Sequence, residues 1–206
     1  QAPLQLLPHP AQGLAHEIDL VPADQGRHGL DIAPVNGPGD VADLADRPGQ
    51  ATRQDLEAIG DLWTELMAVH MALDPRFRIP LRGREHYIRH VQNALRDQHY
   101  CVLVAEAAGR VIGYILGYIA ANPPIFADPR YGFIADICVS HAARRQGIGG
   151  KLVTAIRQWF RKQGLRSIQL NVAHHNPASQ AFWRRMGCSD YLDHMWMPLD
   201  EGTREL

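Results

Sequence analysis

Residues 133–153 read FIADICVSHAARRQGIGGKLV. The first seven, ending at Val139, are apolar and β-branched around one acid, Asp136, and predict a strand. Leu152, Val153, Ile156, Trp159 and Phe160 then recur at helical spacing and Gly164 closes the run, which predicts a helix over residues 149–163. Between them stands RRQGIGGK, residues 144–151. The first N–H groups of a helix have no partner inside it, and glycines let an anion approach the chain closely. Arg144, Arg145 and Lys151 add positive charge, so the stretch predicts a phosphate site.

Two familiar phosphate loops fail against it. A P-loop needs Gly where Arg145 stands and Ser or Thr where Leu152 stands. The dinucleotide fingerprint begins well at Gly147 and Gly149, then meets Leu152 in place of its third glycine.

Upstream, Thr52 reads as an N-cap three residues before Asp55. Leu56, Ile59, Leu62, Trp63, Leu66, Val69, His70 and Leu73 then form a helical stripe that should end at Asp74-Pro75. A second helix is predicted over residues 84–96, with Ile88, Val91 and Leu95 facing inward. Residues 100–106 and 111–120 form a predicted hairpin about Ala108-Gly109. Downstream come a strand over 167–173, a helix over 177–186 between Asn176 and Gly187, and a last strand over 191–199. This order predicts an α/β protein of the α+β kind, one mixed sheet with helices on both faces.

The first 50 residues are different in texture. They hold 7 of 14 prolines, 7 acidic residues against 2 basic ones, and no aromatic residue beyond histidine, so they read as a poorly ordered extension before a folded domain at 51–206. The net charge of −1 therefore conceals an acidic extension and a basic domain, and it supplies no global field for nucleic acid or a membrane surface. Cys101, Cys138 and Cys188 have no metal-ligand spacing, which argues against a metal site and for a reducing, cytoplasmic setting. No apolar run approaches the roughly 20 residues of a bilayer span, and the opening residues lack a signal-peptide pattern.

Arg144-x-x-Gly147-x-Gly149, placed between a strand and a long helix, resembles the acetyl-CoA signature of the GCN5-related N-acetyltransferase (GNAT) superfamily. NVAHHNPASQAFWRRMGC, residues 171–188, is similar to that family's next strand and helix, with Asn176, Phe182 and Gly187 in register. The resemblance spans residues 52–199. It implies a mixed, mostly antiparallel sheet, splayed at the CoA site and flanked by about four helices. It also implies that the pantetheine arm lies beside Ile137, Cys138 and Val139, with the pyrophosphate on Gln146, Gly147, Ile148, Gly149 and Gly150. Arg144, Arg145, Lys151, Asn176 and Phe182 complete the implied cofactor site. A homodimer is a further family-level expectation.

The family's chemistry is direct acetyl transfer from the thioester to an amine, without a metal. Deprotonating a lysine-like amine of pKa about 10.4 at pH 7 costs roughly 4.6 kcal/mol, part of which a base or a desolvated site should supply. Asp136 is the candidate base; the other reading is a strand Asp bonded to backbone or facing solvent. His174 and His175 are candidate proton relays or solvated loop residues. The family's usual thiolate acid, a Tyr seven residues after the helix-starting Asn, is replaced by Trp183, which leaves water, Tyr191 or Tyr131 as donor. That replacement also admits a non-catalytic CoA-binding module as the alternative reading. Cys138 reads as a small core thiol rather than a nucleophile. By resemblance, His70, Asp74, Arg76, Phe77 and Arg78 line the acceptor side. The family's first strand, before Thr52, should be short or absent, because ADRPGQA is a poor strand.

Overall fold

The computed structural model describes residues 48–199, so all but the last three residues of the extension expected over 1–50 lie outside the described residues, and Gly49 and Gln50 instead form a short edge strand. The chain enters through β1 (Gly49–Gln50) and a short 3-10 turn (Arg53–Asp55), then runs through α1 (Leu56–Leu73) and α2 (Gly83–Ala94). There follow β2 (Tyr100–Ala107), β3 (Arg110–Ala121), β4 (Arg130–Val139), α3 (Ile148–Lys162), β5 (Ile168–Gln169) and α4 (Pro177–Arg185). The edge strand is thus present but only two residues long.

Thr52 caps as its sequence suggests. Its hydroxyl accepts from Gln54 N–H at 3.2 Å while Asp55 accepts from Thr52 N–H at 2.6 Å, a reciprocal box that starts the turn leading into α1. At the other end Asp74 is extended ahead of Pro75, and α1 stops there.

The five strands lie in the order β1-β2-β3-β4-β5. The first four are antiparallel neighbours, and β5 joins β4 in parallel after the α3 crossover. Leu66, Val91, Tyr114 and Leu116 belong to the core beneath α1 and α2, whereas Ile115, Ile137, Ile156 and Phe160 belong to the core on the α3 face. Helices cover both faces, as the order of elements requires.

The strand expected over residues 167–173 shrinks to β5, which meets β4 only at Gly132↔Ile168 and Phe133↔Gln169. Residues 170–173 leave the ladder. The last strand, expected over 191–199, does not form: these residues pair with nothing, and Leu192, Met195 and Met197 are exposed. Ladder bonds form only where two extended segments run side by side, and β5 offers just two residues in that conformation.

α3 reaches the sheet through two glycines. An added Cβ at Gly132 would stand 2.7 Å from the Phe160 ring, and one at Gly117 would stand 2.7 Å from Ile156 and 2.9 Å from Phe133 O. Gly132→Ala should therefore cost about 1–3 kcal/mol of overpacking in urea denaturation. Wild-type stability in that variant would show that α3 does not need so close an approach.

Candidate functional site

The loop between β4 and α3 closes on α4 to form a cavity of about 440 Å³, lined by Arg144, Arg145, Gly147, Ile148, Gly149 and Gly150 with Phe182, Arg185 and Met186. The first bond of α3 runs from Lys151 N–H to Gly147 C=O at 3.1 Å, so the N–H groups of Ile148, Gly149 and Gly150 stand ahead of the helical ladder. Gly147 has φ 77°, a left-handed turn that suits glycine, and Arg145 takes a left-handed φ of 64°. These donors and the helix dipole favour an anion in the cavity.

The cations divide into two kinds. Arg145, Lys151 and Arg185 make no ion pair among the described residues. Arg144 lines the cavity, but its Nε donates to Val139 O at 3.0 Å and its terminal nitrogen to Glu65 on α1. Arg185 went unnoticed in the sequence because it sits at the end of a helix two elements away from the loop.

One edge of β4 opens above Phe133. Ser140 N–H donates to Ile112 O at 2.8 Å, and the register pairs Val139 with Gly113 and Ile137 with Ile115. The N–H and C=O of one residue share a side in this ladder, so those of Ile137 and Val139 face away from β3. β5 has already left that side. The splay expected beside Val139 is present.

Three buried side-chain groups on α4 complete this region. Asn176 Oδ1 caps the helix by accepting from Ser179 N–H at 3.0 Å. Asn176 Nδ2, Ser179 Oγ and Trp183 Nε1 are buried with no hydrogen-bond partner. Their spacing puts them on one face of the helix. Polar groups buried without partners cost about 1–3 kcal/mol each, so these three weigh on the stability of the α4 packing, while Phe182, Arg185 and Met186 of the same helix line the cavity.

Asp136 reaches its place through a bulge. Leu116 pairs with Asp136 but Gly117 pairs with Ile134, leaving Ala135 unopposed. The extra residue turns Asp136 onto the α1/α2 face beside Ala135. There Tyr87 of α2 donates to its carboxylate at 3.1 Å, and Tyr114 lies 3.1 Å from the Tyr87 hydroxyl. Trp63 stacks on Tyr87 with ring centroids 4.7 Å apart.

Asp136 is only 7% exposed, and burial pushes its carboxyl up from 3.8 to about 7 against the lowering effect of the Tyr87 hydrogen bond. Burial first, then the negative charge of Asp136, holds Tyr87 well above the ordinary tyrosine range, so it stays a donor. Neither tyrosine was legible as a partner, since each is remote in sequence from Asp136.

The residues expected at the acceptor side lie in the last turn of α1 and the segment that follows it. His70 is buried, its pKa lowered to about 4 by burial, and it packs on Phe77 at 5.0 Å. Asp74 is held near 2 chiefly by hydrogen bonds from Arg76, whose guanidinium lies 5.5 Å above the Trp196 ring. His175 adds a small electrostatic lowering, which brings the loop before α4 near the end of α1. His174 and His175 are exposed and touch each other at 5.1 Å. Arg78 is exposed.

Tyr191 is 72% exposed and has no bond to Asp136 among the described residues. Trp183 is buried in the core on the α3 face, and Tyr131 packs against the opposite core. Cys138 is fully buried beneath α1, as a small packing thiol would be. Among the described residues no group of acidic, histidine and cysteine side chains has metal-binding geometry, and no helix is long and apolar enough to cross a membrane.

Residues 63–188 match the Acetyltransferase (GNAT) family. An uncharacterized N-acetyltransferase of Bacillus subtilis, YhfO, is 26% identical over 141 residues, covering 67% of this chain and 86% of that protein. A mutant form of the BH1408 protein from Bacillus halodurans shares the fold with a TM-score of 0.68 at 23% identity, over 74% of this chain and 98% of that one. An aminoglycoside N-acetyltransferase solved in complex with CoA superposes with a TM-score of 0.58 at 18% identity, over 74% and 98% of the two chains.

The raised carboxyl at Asp136 has a signed consequence for stability. The native state holds this proton more tightly than the unfolded chain, so the associated stabilisation is complete below about 3.8 and is lost as pH rises through about 7. Between those values wild-type stability should fall relative to Asp136→Asn, which carries no titrating group. Denaturation at pH 4, 5.5 and 7.5 measures it, and parallel profiles would contradict the burial of a titrating carboxyl.

Proposed function

The chain belongs to the GNAT acetyltransferase family, and we propose that it moves an acetyl group from acetyl-CoA directly to a primary amine of a small molecule or protein. The observation that carries this reading is the open edge of β4, with an anion-binding loop at one end and a buried carboxyl of pKa about 7 farther along the same strand.

Each part of acetyl-CoA has a counterpart. The pyrophosphate suits the N–H groups of Ile148, Gly149 and Gly150 and the charges of Arg145 and Arg185, whereas Lys151 is exposed outside the cavity lining. The amide-bearing arm suits the open edge groups of β4, both groups of Ile137 and the N–H of Val139. An extended ligand that bonds to a strand edge behaves as an added strand. Phe182 and Met186 supply apolar walls.

In the transfer, the amine nitrogen forms a bond to the thioester carbonyl carbon and the carbon–sulfur bond breaks. The amine's proton passes to Asp136, and the departing thiolate takes a proton from water. A base with pKa near 7 is matched to neutral pH, being ionised about half the time and still basic enough to accept. Tyr87 holds the carboxylate by one oxygen and leaves the other without a bond from any described residue. Trp183 cannot donate a proton as an acid, and Tyr191 stands in solvent, so bulk or ordered water serves the thiolate, which is only modestly basic.

The segment joining α1 and α2 bears on the acceptor. It carries Arg76, Arg78 and Arg82 with Asp74 as its one carboxylate, already engaged by Arg76. A polycationic amine finds little complementary charge there.

A panel of small amines and peptide amines, assayed with acetyl-CoA by release of free thiol, tests the function. At least one amine should be acetylated, with a rate that declines as pH falls below about 7 because Asp136 is then protonated. Asp136→Asn should lower turnover at least about a hundredfold and remove that limb. Tight CoA binding without turnover on any amine would contradict the reading, and an unchanged pH profile in the variant would remove Asp136 as base.

A further inference from the structure

We infer that Glu65 is a positioning residue for the phosphate loop, acting through Arg144. This role rests on the reading of that loop as the seat of the CoA pyrophosphate. Glu65 lies on α1, the helix that also holds Trp63 against Tyr87 and so borders Asp136. Among the described residues its ion pair and hydrogen bond are with the guanidinium of Arg144, whose side chain is 9% exposed.

The peptide between Val139 and Ser140 shows what that guanidinium does. Ser140 N–H is bonded to Ile112 O across the β3 ladder, so the Val139 carbonyl of the same trans peptide points the other way, into the splay. Arg144 Nε donates to that carbonyl at 3.0 Å. One arginine therefore closes the last carbonyl of β4, leaving the N–H of Val139 and both groups of Ile137 as the open positions on this edge. The planar fork of arginine suits this double duty, with Nε toward the strand and a terminal nitrogen toward Glu65.

The loop needs such a fixture. Beyond Arg144 the chain turns through two left-handed residues, Arg145 and Gly147, before Ile148 buries itself at the start of α3. A non-glycine residue at positive φ persists only where the surroundings hold it. Ala143 packs on one side of Arg144 and Ile148 on the far side of the turn, and the ion pair is the link from this loop to α1. Without Glu65 the largely buried cation has no carboxylate, and a desolvated charge left unpaired moves toward water. The loop start, and with it the aim of the Ile148, Gly149 and Gly150 N–H groups, would move as well.

The alternative use of Arg144 is as a direct phosphate ligand, and it makes the opposite prediction. If Glu65 only competes for the guanidinium, removing it frees a cation for the cofactor and tightens binding. If Glu65 aims the loop, removing it weakens binding.

Calorimetric titration of CoA into the full chain, with steady-state kinetics in acetyl-CoA, separates these outcomes. Glu65→Ala should weaken CoA about tenfold and raise KM for acetyl-CoA in proportion, with kcat at saturating acetyl-CoA changed less than about twofold. Glu65→Gln, which keeps the shape and one acceptor oxygen, should fall between it and wild type and serves if the alanine variant does not fold. The double variant Glu65→Ala/Arg144→Ala should bind CoA no more weakly than Arg144→Ala alone, because the two act as one unit. A lowered melting temperature with unchanged CoA affinity and KM would overturn the role, as would tighter CoA binding. A wild-type chain that binds no CoA would overturn the functional reading and this role with it, whereas unaffected Glu65 variants of a CoA-binding chain overturn the role alone.

Discussion

The parallel ladder between β4 and β5 runs for two residue pairs and then stops, leaving the N–H and C=O groups of Ile137 and Val139 without a strand beside them. Backbone groups buried without partners are costly, so a sheet opened in this way needs either water or a ligand along the gap. The other features follow from where that gap lies. Its upper end meets the first turn of α3 with its unbonded N–H groups, and Asp136 sits one residue before Ile137. A single interruption in pairing thus brings the N–H groups of a helix start, an open backbone edge and a raised carboxyl together along one strand.

Asp136 shows how local geometry becomes chemistry. Regular alternation would turn it to the α3 side, away from Tyr87; the bulge at Ala135 rotates it into the core beneath α1 and α2. Burial there raises the carboxyl to about 7, and the Tyr87 hydroxyl, itself bonded to that of Tyr114, donates to it while both tyrosines remain protonated. A carboxyl tuned to neutral pH costs the folded state stability at that pH, a common exchange at functional positions.

The elements of this fold were largely legible in the sequence because each has a local cause. Thr52 and Asp55 cap the entrance to α1, Pro75 ends it, and Gly147 supplies the left-handed turn before α3. The phosphate loop was legible for the same reason, since its glycines and helix start are contiguous. What escaped depends on distant partners. Residues 191–199 alternate well enough for a strand, but pairing depends on the edge β5 presents, and no feature of the segment itself records that β5 is short. Arg144 lies within the loop that its motif marks, yet its partner Glu65 is 79 residues away. Tyr87, Tyr114 and the bulge that brings Asp136 to them leave no mark in the residues around Asp136, and the row on α4 emerges only once burial shows that its polar atoms lack partners.

The most direct measurement is a crystal structure of the full chain with CoA. It should show pyrophosphate oxygens within hydrogen-bond distance of the Ile148, Gly149 and Gly150 N–H groups. The arm should lie along the Ile137–Val139 edge with its amides on the open groups of that edge, and the sulfur should point toward the Asp136 side of the sheet. CoA bound outside the gap, or an arm that leaves those edge groups untouched, would contradict the account.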